Sequence, residues 1–138
     1  MKILVVGSGA REHALAWKLS KSPKLTELLV APGNGGTHQI AENVPINAEN
    51  ITGLLDLALQ RHIDLTVVGP EVPLAKGLSD TFSDAGLLVF GPTREAARIE
   101  SSKSYAKTLM IQNAIPCMKS LTFSDYQTAR EYVKKAST

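Results

Sequence analysis

The sequence predicts an α/β fold built on a doubly wound parallel sheet. Four short apolar runs support this prediction, at Ile3–Val6, Leu28–Ala31, Leu65–Val68 and Leu87–Phe90. None of them alternates with polar residues, which is typical of strands buried on both faces of a parallel sheet. The gaps between the runs are long enough for crossover helices, as parallel connections require.

Helical patterns occupy these gaps, at residues 10–21, 51–62 and 74–85. The second has its leucines and alanines on one face, as a helix packed on a sheet does. Gly86 follows the third and suits the position just after a helix end. We therefore expect strands and helices to alternate over residues 1–92.

The pattern changes after residue 92. The elements predicted there are helices that begin at Thr93, at Ser101 or Ser102 and at Ser124, with a strand at Lys119–Phe123. One strand and a few helices cannot enclose a core of their own. We therefore expect residues 93–138 to be linker helices and the incomplete start of a following domain.

Composition and charge exclude several classes of function. A length of 138 residues allows one domain with a substantial core. The net charge of +2 argues against a nucleic-acid partner, which needs a concentrated basic surface. No apolar stretch approaches the roughly 20 residues that span a bilayer, so no membrane segment is expected. The single cysteine, Cys117, excludes a disulfide framework and suits the cytoplasm, while the oligomeric state stays open.

The segment GSGAREH, residues 7–13, follows the first strand and opens the first helix. Glycine allows a sharp turn there, and the first amides of a helix lack intrahelical partners. Those amides and the helix dipole favour an anion such as a phosphate. The residues expected to contact it are Gly7, Gly9, Ala10 and Arg11. The alternative is a tight turn that leaves Arg11 in solvent.

This segment differs from a dinucleotide-binding fingerprint in two ways. The third glycine of G-x-G-x-x-G is replaced by Glu12, and no carboxylate follows the second strand at Val30–Gly33 to hold a ribose. Two of the three physical requirements are therefore missing. The sequence predicts a cradle for a single phosphate instead of an NAD site.

Two further loops follow strands at the same edge of the predicted sheet. Pro70 stiffens the turn after the third apolar run, and the Glu71 carboxylate beside it suits an amine or sugar hydroxyls. Asn34 and Gly35 follow the second run, where an asparagine amide both donates and accepts. We expect all four to contribute to substrate binding. The alternatives are a glutamate that starts a helix and an ordinary Asn-Gly turn.

A lysine and three histidines complete the candidate residues. Lys103 lies near a predicted helix start, from which a lysine can reach a nucleotide phosphate, although a solvated position is the alternative. The spacing of His13, His38 and His62 suggests no metal site.

Four motifs, taken in order, resemble the glycinamide ribonucleotide synthetases, also called phosphoribosylamine–glycine ligases. These motifs are GSGAREHALAWKL, VAPGNGGT, DLTVVGPEVPLAKGLSD and FGPTREAARIESSKSYAK. That family belongs to the ATP-grasp ligases and serves purine biosynthesis. The resemblance implies a Rossmann-like, pre-ATP-grasp domain at residues 1–92 that holds the substrate, followed by the start of an ATP-grasp domain at residues 93–138.

The resemblance also implies the ligands and their sites. Phosphoribosylamine would lie against the Gly7–Arg11 loop, Glu71 would contact its ribose or amine, and Asn34-Gly35 would border the pocket. Lys103 resembles the first lysine that reaches ATP in ATP-grasp proteins. Glycine, ATP and Mg²⁺ (or Mn²⁺) would bind mainly to elements that follow Thr138. We therefore expect no catalytic residue and no metal ligand within the chain, and no ligation by these residues alone.

Two other functions remain open from the sequence. One is a freestanding phosphosugar- or nucleotide-binding module without catalysis. The other is part of an NAD(P)-dependent oxidoreductase, which the missing carboxylate after the second strand already weakens.

Overall fold

The computed structural model describes residues 1–136 and contains one parallel sheet. Its strands are β1 (Lys2–Gly7), β2 (Glu27–Pro32), β3 (Glu42–Asn43), β4 (Leu65–Val68) and β5 (Val89–Phe90), arranged in the order β3-β2-β1-β4-β5. All four strand pairings are parallel. The predicted doubly wound α/β fold is confirmed.

The described part of the chain contains seven α-helices. They are α1 (Ala10–Leu19), α2 (Ile51–Arg61), α3 (Glu71–Ala75), α4 (Leu78–Asp84), α5 (Arg94–Ser101), α6 (Lys103–Gln112) and α7 (Tyr126–Ala136). Ala16 of α1 packs on one face of the sheet, whereas α2, α3 and α4 pack on the other.

The core lies on both faces of the central strand. Ile3 and Val5 of β1 belong to the cluster under α1, while Leu4 and Val6 belong to the cluster that includes Phe82 of α4. This alternation follows from the two-residue period of a strand. Because both faces are covered, the strand is continuously apolar. This apolar run is the pattern that predicts the strand from the sequence.

The first compact unit spans residues 1–101. It therefore includes α5, although the change of sequence pattern places α5 with the later segment that starts at residue 93. The reason is packing: α5 contacts α3, and its Ala97 is buried in the core. Thr93 caps α5 as predicted, with its Oγ1 accepting a hydrogen bond from the Ala96 N–H at 3.3 Å.

Residues 102–136 form a separate unit with little enclosed interior. Ser102 caps α6, as one of the two predicted serines, by accepting the Tyr105 N–H. Neither α6 nor α7 contains a buried residue.

Three expectations for individual elements are wrong. Residues 119–123 form no strand. The helix expected over residues 74–85 is two helices, because Gly77 between them adopts a left-handed φ of 93°. Asp125, not Ser124, caps α7, since its Oδ1 accepts the Thr128 N–H at 2.8 Å.

Charged side chains link strands and a helix at the amino ends of β1 and β2. Arg61 at the end of α2 pairs with Glu27 of β2 and with Glu42 of β3, the latter at 2.7 Å. Lys2 also pairs with Glu27, at 3.3 Å. The Arg61 guanidinium lowers the pKa of both glutamates below the usual value, and their carboxylates raise the pKa of Arg61.

Within residues 1–136, no helix has the length and apolar character that crossing a membrane requires.

Candidate functional site

A cleft of about 400 Å³ opens at the carboxyl ends of β1, β2 and β4. Its lining residues are Gly7, Ser8, Gly9, Glu12, Pro32, Asn47, Ala48, Glu49, Pro70, Val72 and Pro73. The chain leaves β1 toward β2 on one side and later adds β4 on the other side of β1. The cleft therefore lies at the topological switch point, where open α/β sheets bind their ligands.

The loop between β1 and α1 folds over the side chain of Glu12. Glu12 is only 4% exposed, although it stands in the first turn of a helix. Its Oε2 accepts a hydrogen bond from the Gly9 N–H at 2.7 Å. One of the amides that we expected to receive a phosphate is therefore already engaged by a carboxylate.

Three glycines make room for this buried glutamate. A Cβ on Gly7 would lie 2.6 Å from Glu12 Cγ, one on Gly9 would lie 2.8 Å from Oε2, and one on Gly69 would overlap Oε1. Gly7 also has a φ of 129°, which side chains disfavour. The glycines at the ends of β1 and β4 thus serve to accommodate an internal side chain.

Side chains of two predicted residues join neighbouring loops of the cleft. Arg11 Nη1 donates to the Gly69 carbonyl oxygen at 2.7 Å, which connects the start of α1 to the end of β4. Asn34 Nδ2 donates to the Ser8 carbonyl oxygen at 2.8 Å, which connects the loop after β2 to the loop after β1. These bonds fix the mutual position of the three strand ends.

Asn34 also organises its own loop. Its Oδ1 accepts the N–H groups of Gly36 and Thr37, at 2.8 and 3.0 Å. The buried Thr37 hydroxyl donates in turn to Asn43 Oδ1 and accepts the Asn34 N–H. The Asn-Gly turn is thus present, and the Asn34 side chain acts chiefly on protein groups.

Only some of the predicted site residues line the cleft. Those that line it are Gly7, Gly9 and Pro70. Those outside the lining are Ala10, Arg11, Asn34, Gly35 and Glu71. Glu71 is the first residue of α3 and stands between two lining neighbours, Pro70 and Val72. Lys103 is the exposed first residue of α6, in the second unit.

Sequence reasoning missed several residues that line the cleft. From the sequence, Glu12 is the residue in place of a fingerprint glycine and a favourable acid in the first turn of a helix, with no predicted role in the cleft. The sequence does contain a signal for the observed hydrogen bond, because an acid at the third position of a helix can turn back to the N-cap amide. Asn47, Ala48 and Glu49 come from the connection between β3 and α2 and carry no motif, so only the fold places them here.

The cleft is acidic. Its charged lining residues are Glu12 and Glu49, and no Lys, Arg or His side chain of the described chain belongs to the lining. Glu49 is paired with Lys76 at 2.6 Å. Within residues 1–136, Glu12 has no ion pair. The floor of the cleft is therefore suited to groups that donate hydrogen bonds.

Comparison with known proteins identifies the family to which this fold and cleft belong. Residues 1–100 match the family model described as "Phosphoribosylglycinamide synthetase, N domain". The chain belongs to this family. The matched residues contain every element that builds the cleft, so the cleft is a feature of a phosphoribosylglycinamide synthetase N domain.

Relatives and solved structures agree with this assignment. A phosphoribosylamine–glycine ligase of Nostoc sp. is 48% identical over 136 residues, which cover 97% of the chain and 32% of that relative. The crystal structure of a phosphoribosylamine–glycine ligase from Thermotoga maritima superposes with a TM-score of 0.68 at 29% identity, covering 98% of this chain and 30% of that one. The chain thus spans about a third of the length of the relatives it matches.

A more distant structure shares the fold. The biotin carboxylase domain of a 2-oxoglutarate carboxylase from Hydrogenobacter thermophilus, solved in complex with MgADP and bicarbonate, has a TM-score of 0.70 at 16% identity. The superposition covers 97% of this chain and 32% of the biotin carboxylase chain. The phosphoribosylglycinamide synthetase N domain is therefore one use of a more widely shared α/β scaffold.

Proposed function

We propose that this chain supplies the phosphoribosylamine-binding part of an ATP-dependent ligase that forms glycinamide ribonucleotide from glycine and 5-phosphoribosylamine. The observation that carries the proposal is the family match over residues 1–100, the same stretch that builds the switch-point cleft. The relatives of which the chain covers a third are named phosphoribosylamine–glycine ligases, in agreement with it.

The proposed reaction has two steps. The glycine carboxylate first takes the terminal phosphoryl group of ATP and becomes an acyl phosphate. The amine of phosphoribosylamine then attacks the acyl carbon, so that a C–N bond forms while the C–O bond to phosphate breaks. The products are glycinamide ribonucleotide, ADP and phosphate. The task of this chain is to hold the amine in the orientation that the attack needs.

The predicted residues divide this task between them. Gly7, Gly9 and Pro70 form the surface on which the substrate rests. The other proposed binding residues are Ala10, Arg11, Asn34, Gly35 and Glu71. Arg11 and Asn34 hold the strand-end loops together through their bonds to Gly69 and Ser8, and Glu71 borders the cleft.

ATP and Mg²⁺ are proposed to act outside this cleft. Lys103 is the residue of this chain proposed to reach ATP, consistent with its exposed position at the start of α6. No group of three or more His, Cys, Asp or Glu side chains within residues 1–136 could hold a metal ion. The described residues thus contain no cluster that could hold magnesium by itself, and no step here passes through one.

Formation of ADP and glycinamide ribonucleotide tests the proposal. The 138-residue chain and its complete gene product are each supplied with ATP, glycine and phosphoribosylamine. The complete product should form ADP only when all three are present, and the isolated chain should form none. Binding of the phosphosugar without turnover by the complete product would favour a non-catalytic module instead.

The substitution Arg11→Ala tests the assignment of the cleft. Removing the bond to Gly69 loosens the cleft loops, so the apparent KM for phosphoribosylamine should rise roughly tenfold or more in the complete product, because small displacements of positioning groups are costly. The KM for ATP should change less than about twofold. The matched control is Lys18→Ala, which changes an exposed cation in the last turn of the same helix. Equal effects on both substrates would contradict the assignment.

A further inference from the structure

The Glu12 carboxylate is the one strongly buried charge in the cleft lining of the described chain. Burying an ionised carboxylate is unfavourable unless donors compensate for the lost water. One oxygen, Oε2, has the Gly9 N–H as its donor. The positive end of the α1 dipole adds support, because Glu12 lies in the first turn of that helix.

The second oxygen, Oε1, has no donor from the protein in the described part of the chain. Oε1 lies beside the backbone of Gly69, where even a Cβ would overlap it. Within residues 1–136, no donor forms a hydrogen bond to Oε1, and no cation pairs with the carboxylate. Glu12 belongs to the cleft lining, so a ligand in the cleft can supply the missing donor.

The position of Glu12 also determines what the Gly7–Gly9 loop can bind. A phosphate at Gly9 would meet a carboxylate that already occupies the Gly9 amide, and two anions at this distance repel each other. An ammonium or amino group at the same place would instead donate a charge-assisted hydrogen bond to the Glu12 carboxylate. The sequence predicts that the phosphate end of a phosphosugar binds at this loop. The floor of the cleft instead favours an end that donates hydrogen bonds.

We propose that Glu12 binds the amino group of the substrate, with Oε1 as the acceptor, and so selects an aminated phosphosugar over its hydroxyl counterpart. This inference rests on the proposed function, which supplies phosphoribosylamine as the ligand. The phosphate then points away from Glu12, toward the rim of the cleft.

The test compares two ligands that differ in one group. Ribose 5-phosphate carries a hydroxyl where phosphoribosylamine carries the amine. Phosphoribosylamine is prepared by adding ammonium chloride to ribose 5-phosphate, since ammonia replaces the hydroxyl in solution with loss of water. Affinity for each is measured by calorimetry on the complete gene product, with sodium chloride as the ionic-strength control. The wild type should bind the aminated ligand at least roughly tenfold more tightly, as one charge-assisted bond implies.

The substitution Glu12→Gln removes the charge and keeps an oxygen that can accept the Gly9 N–H. It should weaken binding of phosphoribosylamine roughly tenfold or more and leave ribose 5-phosphate within about twofold. Asp56→Asn, at an exposed carboxylate of α2, is the matched control and should change neither affinity. Equal weakening of both ligands would show that Glu12 serves only the loop and would overturn the inference.

The remaining outcomes separate this inference from the proposed function. If the wild type binds neither ligand, the proposed function fails and the inference with it. If the wild type binds both ligands equally well, the proposed cleft stands and the amine assignment is overturned. That comparison needs no variant, so it decides the question even if Glu12→Gln does not fold.

Discussion

Glu12 shows how one side chain determines the residues around it. Its carboxylate lies under the β1–α1 loop, and Gly7, Gly9 and Gly69 leave the space that it fills. A dinucleotide-binding loop keeps a glycine at the equivalent helix position so that helix and strand pack closely. Here Glu12 occupies that position. The space for its side chain comes instead from the glycines whose backbone surrounds it in the fold.

The substitution Gly69→Ala tests this dependence. The added methyl would overlap Glu12 Oε1, so the free energy of unfolding should fall by about 1–3 kcal/mol, as overpacking does. Combining it with Glu12→Ala should remove the overlap and recover at least about 1 kcal/mol relative to the sum of the single effects. Denaturant unfolding of the three variants measures this coupling.

Gly35→Ala provides the control for that cycle. No atom lies within 4 Å of a Cβ on Gly35, so this change should leave stability nearly unaltered. Additive effects of Gly69→Ala and Glu12→Ala would show that the glycine is not required by the glutamate.

At the scale of elements, the helices depend on local capping as well as on packing. Asn50 begins α2, and its Oδ1 accepts the Gly53 N–H at 3.1 Å. His62 ends the helix in the left-handed conformation, with a φ of 53°. The sequence-predicted bounds of α2 agree with these ends to within one residue.

Asn50→Ala should therefore destabilise the first unit. Loss of an N-cap side chain lowers the free energy of unfolding by about 1 kcal/mol. Asn50→Asp keeps a capping oxygen and should change stability by less than about 0.5 kcal/mol. Thermal or denaturant unfolding distinguishes the two, and equal losses would show that the capping oxygen does not account for the effect of Asn50.

The elements that sequence could predict are those with a strong local pattern. The centres of β1 and β2 are continuously apolar, and Thr66 is the one polar residue of β4, because these strands are buried on both faces. β3 has only the polar pair Glu42–Asn43 and gives no such pattern. The strand predicted at residues 119–123 is absent, and no partner strand pairs with them in the described chain.

At the scale of the whole molecule, the prediction of the site was partial for a physical reason. Loops after buried strands must lie at one edge of a parallel sheet, which is why Gly7, Gly9 and Pro70 were found. The orientation of Glu12 and the approach of Asn47 depend on how separate loops pack together. No local pattern in a single sequence contains that information.

The ion pairs at the amino ends of the strands predict a pH dependence of stability. Arg61 lowers the pKa of Glu27 and Glu42 from the ordinary value of 4.5 in the folded state. Their contribution is therefore fully present above that value and is lost as the pH falls through the lowered values. Thermal unfolding of wild type and Arg61→Met should differ at neutral pH, and the difference should disappear in acid.

Arg130→Met is the control for this experiment, because Arg130 is an exposed arginine that has no ion pair within residues 1–136. Its stability difference from wild type should be independent of pH. A pH-independent difference for Arg61→Met as well would show that its stem, not its charge, stabilises the fold.

The brevity of the two outermost strands limits how this protein can aggregate. β3 and β5 are each two residues long, so either rim of the sheet offers an incoming peptide only a very short ladder. Strand addition, the route by which exposed sheet margins seed fibrils, thus has little to build on.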